Sequence, residues 1–384
     1  MSQLTREPQV VVKPVTSWWQ RRQFLNVPWE IYAGDLNWVP PLRGIAKEMV
    51  NYTRHPFYDN AEIQTFLALR EGRPVGRIAA IVNHAHNERY REKRGFFGFF
   101  ESEDSQETAS ALLDAAREWL RVQGMTAIRG PMNPSMNYEC GLLIAGFDEP
   151  PTFMMTYNRP YYQRLLEAYG FAKVQDMVAF WGHMDMISGL DKKMEFIIRE
   201  CQQRFDIKLR RLDTKRFEQD VRLFLNIYNQ SLVGTWGFVP ISEAETKAMA
   251  QGLKMLIVPE MTTIAEIDGK AVGAVFGLLD YNPRIKEIGG RLFPFGFLKL
   301  LFNRKELKRV RLISTNVVPE YQKWGVGLLL VSHLLPATKA WGIQEAEFSW
   351  VLESNTLSYG TLKRGGAKIT KTYRILDYEI PAAK

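Results

Sequence analysis

Val317-Val318-Pro319-Glu320-Tyr321-Gln322-Lys323-Trp324-Gly325-Val326-Gly327 is the stretch on which the reading of this chain turns. The apolar run Val310 to Val318 predicts a strand, and Pro319 stops it. Gln322-x-x-Gly325-x-Gly327 then leads into a helical pattern that starts near Leu328. A strand that feeds a glycine-bearing turn at a helix start makes a cradle for an anion. Side chains are missing where backbone must approach a phosphate, amides point into the turn, and the helix dipole adds partial positive charge. The spacing is not that of the dinucleotide fingerprint. It also lacks the Gly-Lys-Ser/Thr ending of a P-loop.

Outward from the turn, Leu329, Leu330, Leu334, Ala337 and Trp341 keep near-helical spacing, and Gly342 can close that helix. A strand Glu345 to Leu352, a short helix Asn355 to Lys363 ended by Gly365-Gly366, and a last strand Tyr373 to Ile380 follow. Upstream, Thr262 to Ile267 and Ala271 to Leu279 flank Asp268-Gly269-Lys270, a hairpin by its turn chemistry. Helices near Phe217 to Leu232 and Ser242 to Leu256 precede it.

This motif and order of elements resemble the GNAT superfamily of N-acyltransferases, whose acyl-CoA pyrophosphate loop has the pattern Gln/Arg-x-x-Gly-x-Gly/Ala. The resemblance implies acyl-CoA as cosubstrate. It gives Val317 and Val318 backbone bonds to pantetheine. It places the pyrophosphate on Gln322, Lys323, Trp324, Gly325, Val326 and Gly327, and sets Asn355 at the start of the helix beyond the thioester. In that family a tyrosine often protonates the leaving thiolate. Its position here falls on Leu362, so Tyr359 and Glu353 become the candidates for proton transfer.

A chain of 384 residues exceeds one ordinary core and predicts two domains. Its hydrophobic share of 46% against 24% charged residues describes a globular protein, and no apolar run reaches the roughly 18 residues of a membrane span. The N-terminus MSQLTREPQVVVKPV has no signal core, and two cysteines, Cys140 and Cys201, provide neither a disulfide framework nor a metal cluster. These features point to the cytoplasm, with no metal cofactor. A net charge of +8 favours an anionic partner. No nucleic-acid-binding module is recognisable.

The first half repeats the second. Glu71-Gly72-Arg73-Pro74-Val75-Gly76 echoes Asp268-Gly269-Lys270-Ala271-Val272-Gly273, and the helical pattern Thr108 to Gln123 ends at Gly124 as its counterpart ends at Gly342. The expected architecture is α/β (α+β): two GNAT-like domains, each a mixed, mostly antiparallel sheet flanked by helices. Residues 1–190 form a degenerate copy and residues 205–384 the acyl-CoA-binding one. The degeneracy is expected from Glu101, Glu103 and Asp104, which replace the glycine cradle and would repel a pyrophosphate. The segment Gly130 to Pro151 reads as an ordered loop, in which Tyr138 and Glu139 are further site candidates.

Over nearly its full length the chain resembles a bacterial GNAT-like family that includes the ceramide synthases. The resemblance rests on Asn37-Trp38-Val39-Pro40-Pro41, Val75-Gly76-Arg77-Ile78, Gly95-Phe96-Phe97-Gly98-Phe99-Phe100-Glu101, Gly130-Pro131-Met132-Asn133-Pro134 and Trp236-Gly237-Phe238-Val239-Pro240. It implies N-acylation of an amine, including a lipophilic one such as a sphingoid base. An insertion between Asp280 and Arg311 agrees with a lipid substrate. Leu292 to Phe302 is rich in aromatic and aliphatic residues, and Arg304, Lys305, Lys308, Arg309 and Arg311 follow, which suits peripheral contact with an anionic inner membrane through residues 292–311. The alternative is a non-catalytic protein of the same fold that binds acyl-CoA or membrane lipid.

Overall fold

Two turns of the same chemistry organise the backbone. Glu71-Gly72 and Asp268-Gly269 all have positive φ (50°, 78°, 50° and 73°), the requirement of a two-residue turn whose twist matches its strands. Each hairpin then carries the same irregularity. Ala68 faces Gly76 while Leu69 faces Pro74, and Ala265 faces Gly273 while Glu266 faces Ala271. Val75 and Val272 are therefore the equivalent extra residues of two matching bulges. The internal repeat seen in the sequence extends to strand register.

The computed structural model describes residues 9–187 and 192–382. They divide into two units, Met1–Gln175 with Tyr373–Lys384, and Asp176–Thr372. In the first, strands Val11–Pro14, Ala61–Arg70, Arg73–Asn83 and Arg94–Ser102 pair antiparallel in that order, and Ala127–Gly130 lies parallel to Arg94–Ser102. Helix Gln106–Val122 buries Leu112, Leu113, Ala116 and Leu120 against Ile78, Phe97 and Ile128. Helix Trp18–Ile31 buries Phe24 and Val27 in a second cluster with Leu67, whose neighbours Phe66 and Ala68 belong to the first. The sheet thus has an apolar helix on each face, and each fully buried Leu or Phe contributes roughly 1.5–3 kcal/mol.

The second unit repeats the plan. Strands Lys208–Arg210, Thr262–Ile267, Lys270–Leu279 and Arg309–Val317 are antiparallel, and Glu345–Leu352 is parallel to the last of them. Helix Val326–Trp341 packs Val326, Leu329, Leu330 and Leu334 on Ala265, Val272, Val275, Leu312 and Val317. Helix Phe217–Ser231 packs Leu223, Phe224 and Ile227 on Ile264 and Ala274.

The unit boundaries differ from the expected 1–190 and 205–384. The strand Ala172–His183 leaves the first unit after Gln175, and its later residues pair with Glu345–Leu352. The last strand, Lys368–Glu379, enters the first unit at Tyr373. There Leu376 to Glu379 pair with Ala127–Gly130, and the Asp377 carboxylate receives Arg129 through two bonds of 2.8 and 2.7 Å. An alternating pattern announces a strand but does not name its neighbour. Between the two expected domains, where the sequence reading had no element, helix Lys192–Arg204 buries Met194 and Cys201. The expected loop 130–151 contains a small ribbon, Met132–Asn133 against Glu139–Cys140.

Candidate functional site

In the second unit, strands Arg309–Val317 and Glu345–Leu352 pair only from Arg309 with Glu345 to Leu312 with Phe348. Beyond that they part. Residues 314–317 continue to pair on their other side with Gly273–Phe276. At the fork a side chain takes over from the backbone: buried Arg311 donates from Nε to Ser349 Oγ at 2.9 Å and from Nη2 to Ser349 O at 3.1 Å. Ser349 Oγ in turn donates to buried Glu347 at 2.6 Å.

The strand runs through Val318 into the 3-10 turn Pro319–Trp324, and Gly325 (φ +84°) starts helix Val326–Trp341 without a capping side chain. The first helical bond runs from Leu329 N to Gly325 O, so the amides of Val326, Gly327 and Leu328 face outward at the positive end of the dipole. Gln322 staples the turn, its Nε2 donating to Val317 O at 3.0 Å and to Ser231 O at 3.1 Å. Lys323 is exposed. Helix Lys192–Arg204 adds a second cation, Arg204, whose guanidinium lies 3.7 Å over the Trp324 ring.

The two glycines do different work. A Cβ at Gly325 would come within 2.4 Å of Ile197 Cγ2, so this position serves packing and its left-handed φ. At Gly327 a Cβ would find only ordinary contacts, 3.7 Å to Thr315 Cγ2 and 3.9 Å to Val317 Cγ2. Gly327 therefore keeps space open over the parted strand.

The remaining predicted residues divide. Val318 has both backbone groups engaged: its N–H donates to Val272 O, and its carbonyl accepts from Tyr321 N. Antiparallel alternation turns the Val317 N–H the other way, to the parted side. Asn355 is a helix cap, its Oδ1 accepting from Ser358 N at 3.1 Å. Glu353 Oε1 accepts from Asp176 N at 2.9 Å, a bond that secures a neighbouring strand. Tyr359, half-buried, packs its ring edge-on to Phe180 at 5.2 Å. Glu139 is exposed on the ribbon of the first unit, and Tyr138 beside it packs edge-on to His55 and Phe57, whereas the remaining predicted site residues belong to the second.

Sequence reading missed Arg204 and Glu347, and assigned Arg311, which the structure buries at the strand fork, to a basic surface cluster. It also missed Asn316, which is buried at 2%, accepts from Ser231 Oγ, and has no partner for its Nδ2 among the described residues. Helix Lys192–Arg204 was findable, since Met194, Ile197, Ile198 and Cys201 recur at helical spacing.

The equivalent place in the first unit is closed, but not by charge repulsion. Glu101 is buried and accepts from Tyr32 and Tyr162 hydroxyls at 2.7 and 2.9 Å, with Arg77 at 3.4 Å. Glu103 pairs with Arg70, and Asp104 with Arg164. What removes the cradle is length. Gly76 pairs with Ser102 as Gly273 pairs with Val317, yet only residues 103–105 separate that strand from its helix, against 318–325 in the second unit. Ser105 Oγ then caps the helix by accepting from Thr108 N. The parting of strands Arg94–Ser102 and Ala127–Gly130 is filled by the chain itself. Asn133 Oδ1 accepts from Phe99 N at 2.6 Å, and Met132 O would lie 1.7 Å from any Cβ at Gly98.

The chain is 34% identical to YghO of Escherichia coli K12 over 94% of its length and 93% of that protein. It is also 34% identical to the bacterial ceramide synthase of Caulobacter vibrioides, over 95% of its length and 96% of that protein. Among solved structures, a tandem GNAT protein from the clavulanic acid biosynthesis pathway superposes with a TM-score of 0.58, at 11% identity over 98% of this chain and 100% of that one. A GCN5-related N-acetyltransferase from Sphaerobacter thermophilus gives 0.51 at 12% identity, over 98% and 97%. These likenesses establish the tandem GNAT fold. No protein-family model matches the chain.

Proposed function

The chain belongs to the bacterial GNAT-like family that contains the Caulobacter vibrioides ceramide synthase and YghO, and we propose that it is an acyl-CoA-dependent N-acyltransferase whose second unit carries the cosubstrate. The observation that carries this reading is the uncapped helix start at Val326 and Gly327 beside two parted strands. Such a helix end offers amides and partial positive charge to a pyrophosphate, and Lys323 and Arg204 add cations at the same turn. The site fits a CoA thioester in a second respect. Gly327 leaves the strand beneath it uncovered, and the Val317 N–H is turned to the parted side, where it can donate to pantetheine.

Acyl-CoA, when bound, supplies the thioester. An amine attacks its carbonyl carbon, the C–N bond forms as the C–S bond breaks, the amine gives up a proton and the thiolate takes one. On helix Thr356–Arg364 the hydroxyl of Tyr359 is the group we assign to the thiolate, since the Glu353 carboxylate is committed to Asp176 N. The amine is lipophilic and the acyl chain long in this reading, which the kinship with a ceramide synthase supports. Leu362, where the superfamily often has its acid, favours a second reading: acyl-CoA binding without turnover.

Free-thiol release from long-chain acyl-CoA with a sphingoid base, set beside acetyl-CoA with a small polar amine, tests the function. We expect release only with an amine present, faster for the lipophilic pair, and slowed in Tyr359→Phe with little change in KM. Tight acyl-CoA binding with no amine-dependent release leaves the non-catalytic reading instead.

A further inference from the structure

The insertion between Leu279 and Arg309 folds into short helices, Asn282–Glu287 and Gly296–Leu301, with a tight loop between them. That loop is ordered. Phe297 N donates to Leu292 O at 2.9 Å, the Phe293 and Phe297 rings lie 6.2 Å apart, and Gly296 admits the Arg291 carbonyl, which would be 2.0 Å from any Cβ. Yet its tip is apolar and open to solvent: Phe293 is 83% exposed, Phe295 71%, and Phe302 beyond the second helix 64%.

The charge along this segment is predominantly positive. From Arg284 to Lys308 there are seven Lys or Arg and two Glu. Both acids are already taken, Glu287 by Lys299 and Glu306 by Arg284. Two cations expected to serve this surface do not. Arg309 pairs with Glu345 at 2.7 Å, and Arg311 is buried at the strand fork. Arg291, Lys305 and Lys308 remain exposed.

We infer that this insertion is a membrane-surface anchor, which sinks Phe293, Phe295 and Phe302 into the boundary of an anionic bilayer and lays Arg291, Lys305 and Lys308 on its headgroups. Lys308 Nζ donates to Lys305 O and Lys305 lies over the Trp341 ring, contacts that leave both charges uncompensated, and apolar rings flanked by exposed cations match a bilayer with anionic headgroups. A second copy of the chain would bring the same cations face to face, which opposes self-association. The helix Gly296–Leu301 rises only about 9 Å, so the contact is interfacial. This inference does not depend on acyl transfer.

Flotation with phosphatidylcholine vesicles, with and without phosphatidylglycerol, tests it on the full chain. The wild type should float with the anionic vesicles, and added salt should weaken binding. Phe293→Ser with Phe295→Ser should weaken it about tenfold per ring, at roughly 1.5 kcal/mol for each apolar side chain returned to water. Lys305→Gln with Lys308→Gln should weaken it about thirtyfold, at about 1 kcal/mol per cation. These side chains are exposed, so unfolding temperatures should not move, which separates lost docking from lost fold. Failure of the wild type to float, undiminished flotation of the phenylalanine variant, or a wild-type dimer that the same substitutions dissociate would each overturn the anchor.

Discussion

Gly325 and Gly327 stand two residues apart and answer to different demands. A side chain at Gly325 meets Ile197 and an unfavourable φ, so Gly325→Ala should lower stability by about 1–3 kcal/mol whether or not CoA is bound. Gly327→Val should leave the unfolding temperature nearly unchanged and weaken CoA binding at least tenfold, because the new side chain fills the space over Thr315 and Val317. Calorimetry on the folded Gly327→Val protein checks this, and unchanged affinity would remove the site. His86 of the first unit makes a different prediction. It is 3% exposed against Phe96 and Tyr90, and burial, with Arg129 adding to it, pulls its pKa from 6.5 down to about 4. A depressed histidine binds its proton more readily when unfolded, so stability is full above pH 6.5 and is lost as pH falls toward 4. The loss is about 3 kcal/mol at roughly 1.4 kcal/mol per unit. Denaturant titrations of His86→Phe across that window should show a flatter acid limb than the wild type.

At the scale of elements, the fork between Arg309–Val317 and Glu345–Leu352 depends on one side chain where backbone pairing ends. Arg311 spans the two strands through Ser349 and is linked through it to buried Glu347. Arg311→Met keeps much of the volume but removes charged bonds worth about 1.5–3 kcal/mol each. It should destabilise the second unit by about 3–5 kcal/mol, the range for breaking a buried ionic network on one side. A destabilisation under 1 kcal/mol, read by denaturant unfolding, would mean that the fork is held by other contacts. The same kind of junction in the first unit is sealed by Asn133 and Met132, so two copies of one supersecondary plan end in opposite states.

For the whole molecule, this asymmetry predicts one CoA per chain. The first unit's strand-to-helix connection is too short to form a cradle and is capped by Ser105. Its carboxylates are spent on Arg77, Arg70 and Arg164. Neutralising Glu103 and Asp104 to Gln and Asn should therefore create no second site, and equilibrium titration should still saturate at one equivalent. Two equivalents, in the wild type or the variant, would contradict the account. The units also share no simple cut point. A chain ended at Thr372 would take the fully buried Tyr373, Ile375 and Leu376 from the first unit, Leu376 from its main core, although the last strand begins in the second.

The sequence alone determined what neighbouring residues fix among themselves. Asp268-Gly269 and Glu71-Gly72 dictate hairpins because few residues adopt positive φ, the apolar spacing of Leu329, Leu330 and Leu334 dictates a helix, and Pro319 to Gly327 dictates a turn with open amides. The repeat, the tandem GNAT fold and the glycine turn were legible for that reason. Only the tertiary structure decided which strand the last residues join, that Gly325 is required by Ile197, and that Val318, Asn355 and Glu353 spend their polar groups on the fold. It alone showed that Glu101, Glu103 and Asp104 are neutralised, and that Arg311 is buried while Phe293 is exposed. Backbone geometry is set within a few residues. The partner of a strand, a charge or a buried side chain is set by segments up to hundreds of positions away, and no local pattern encodes it.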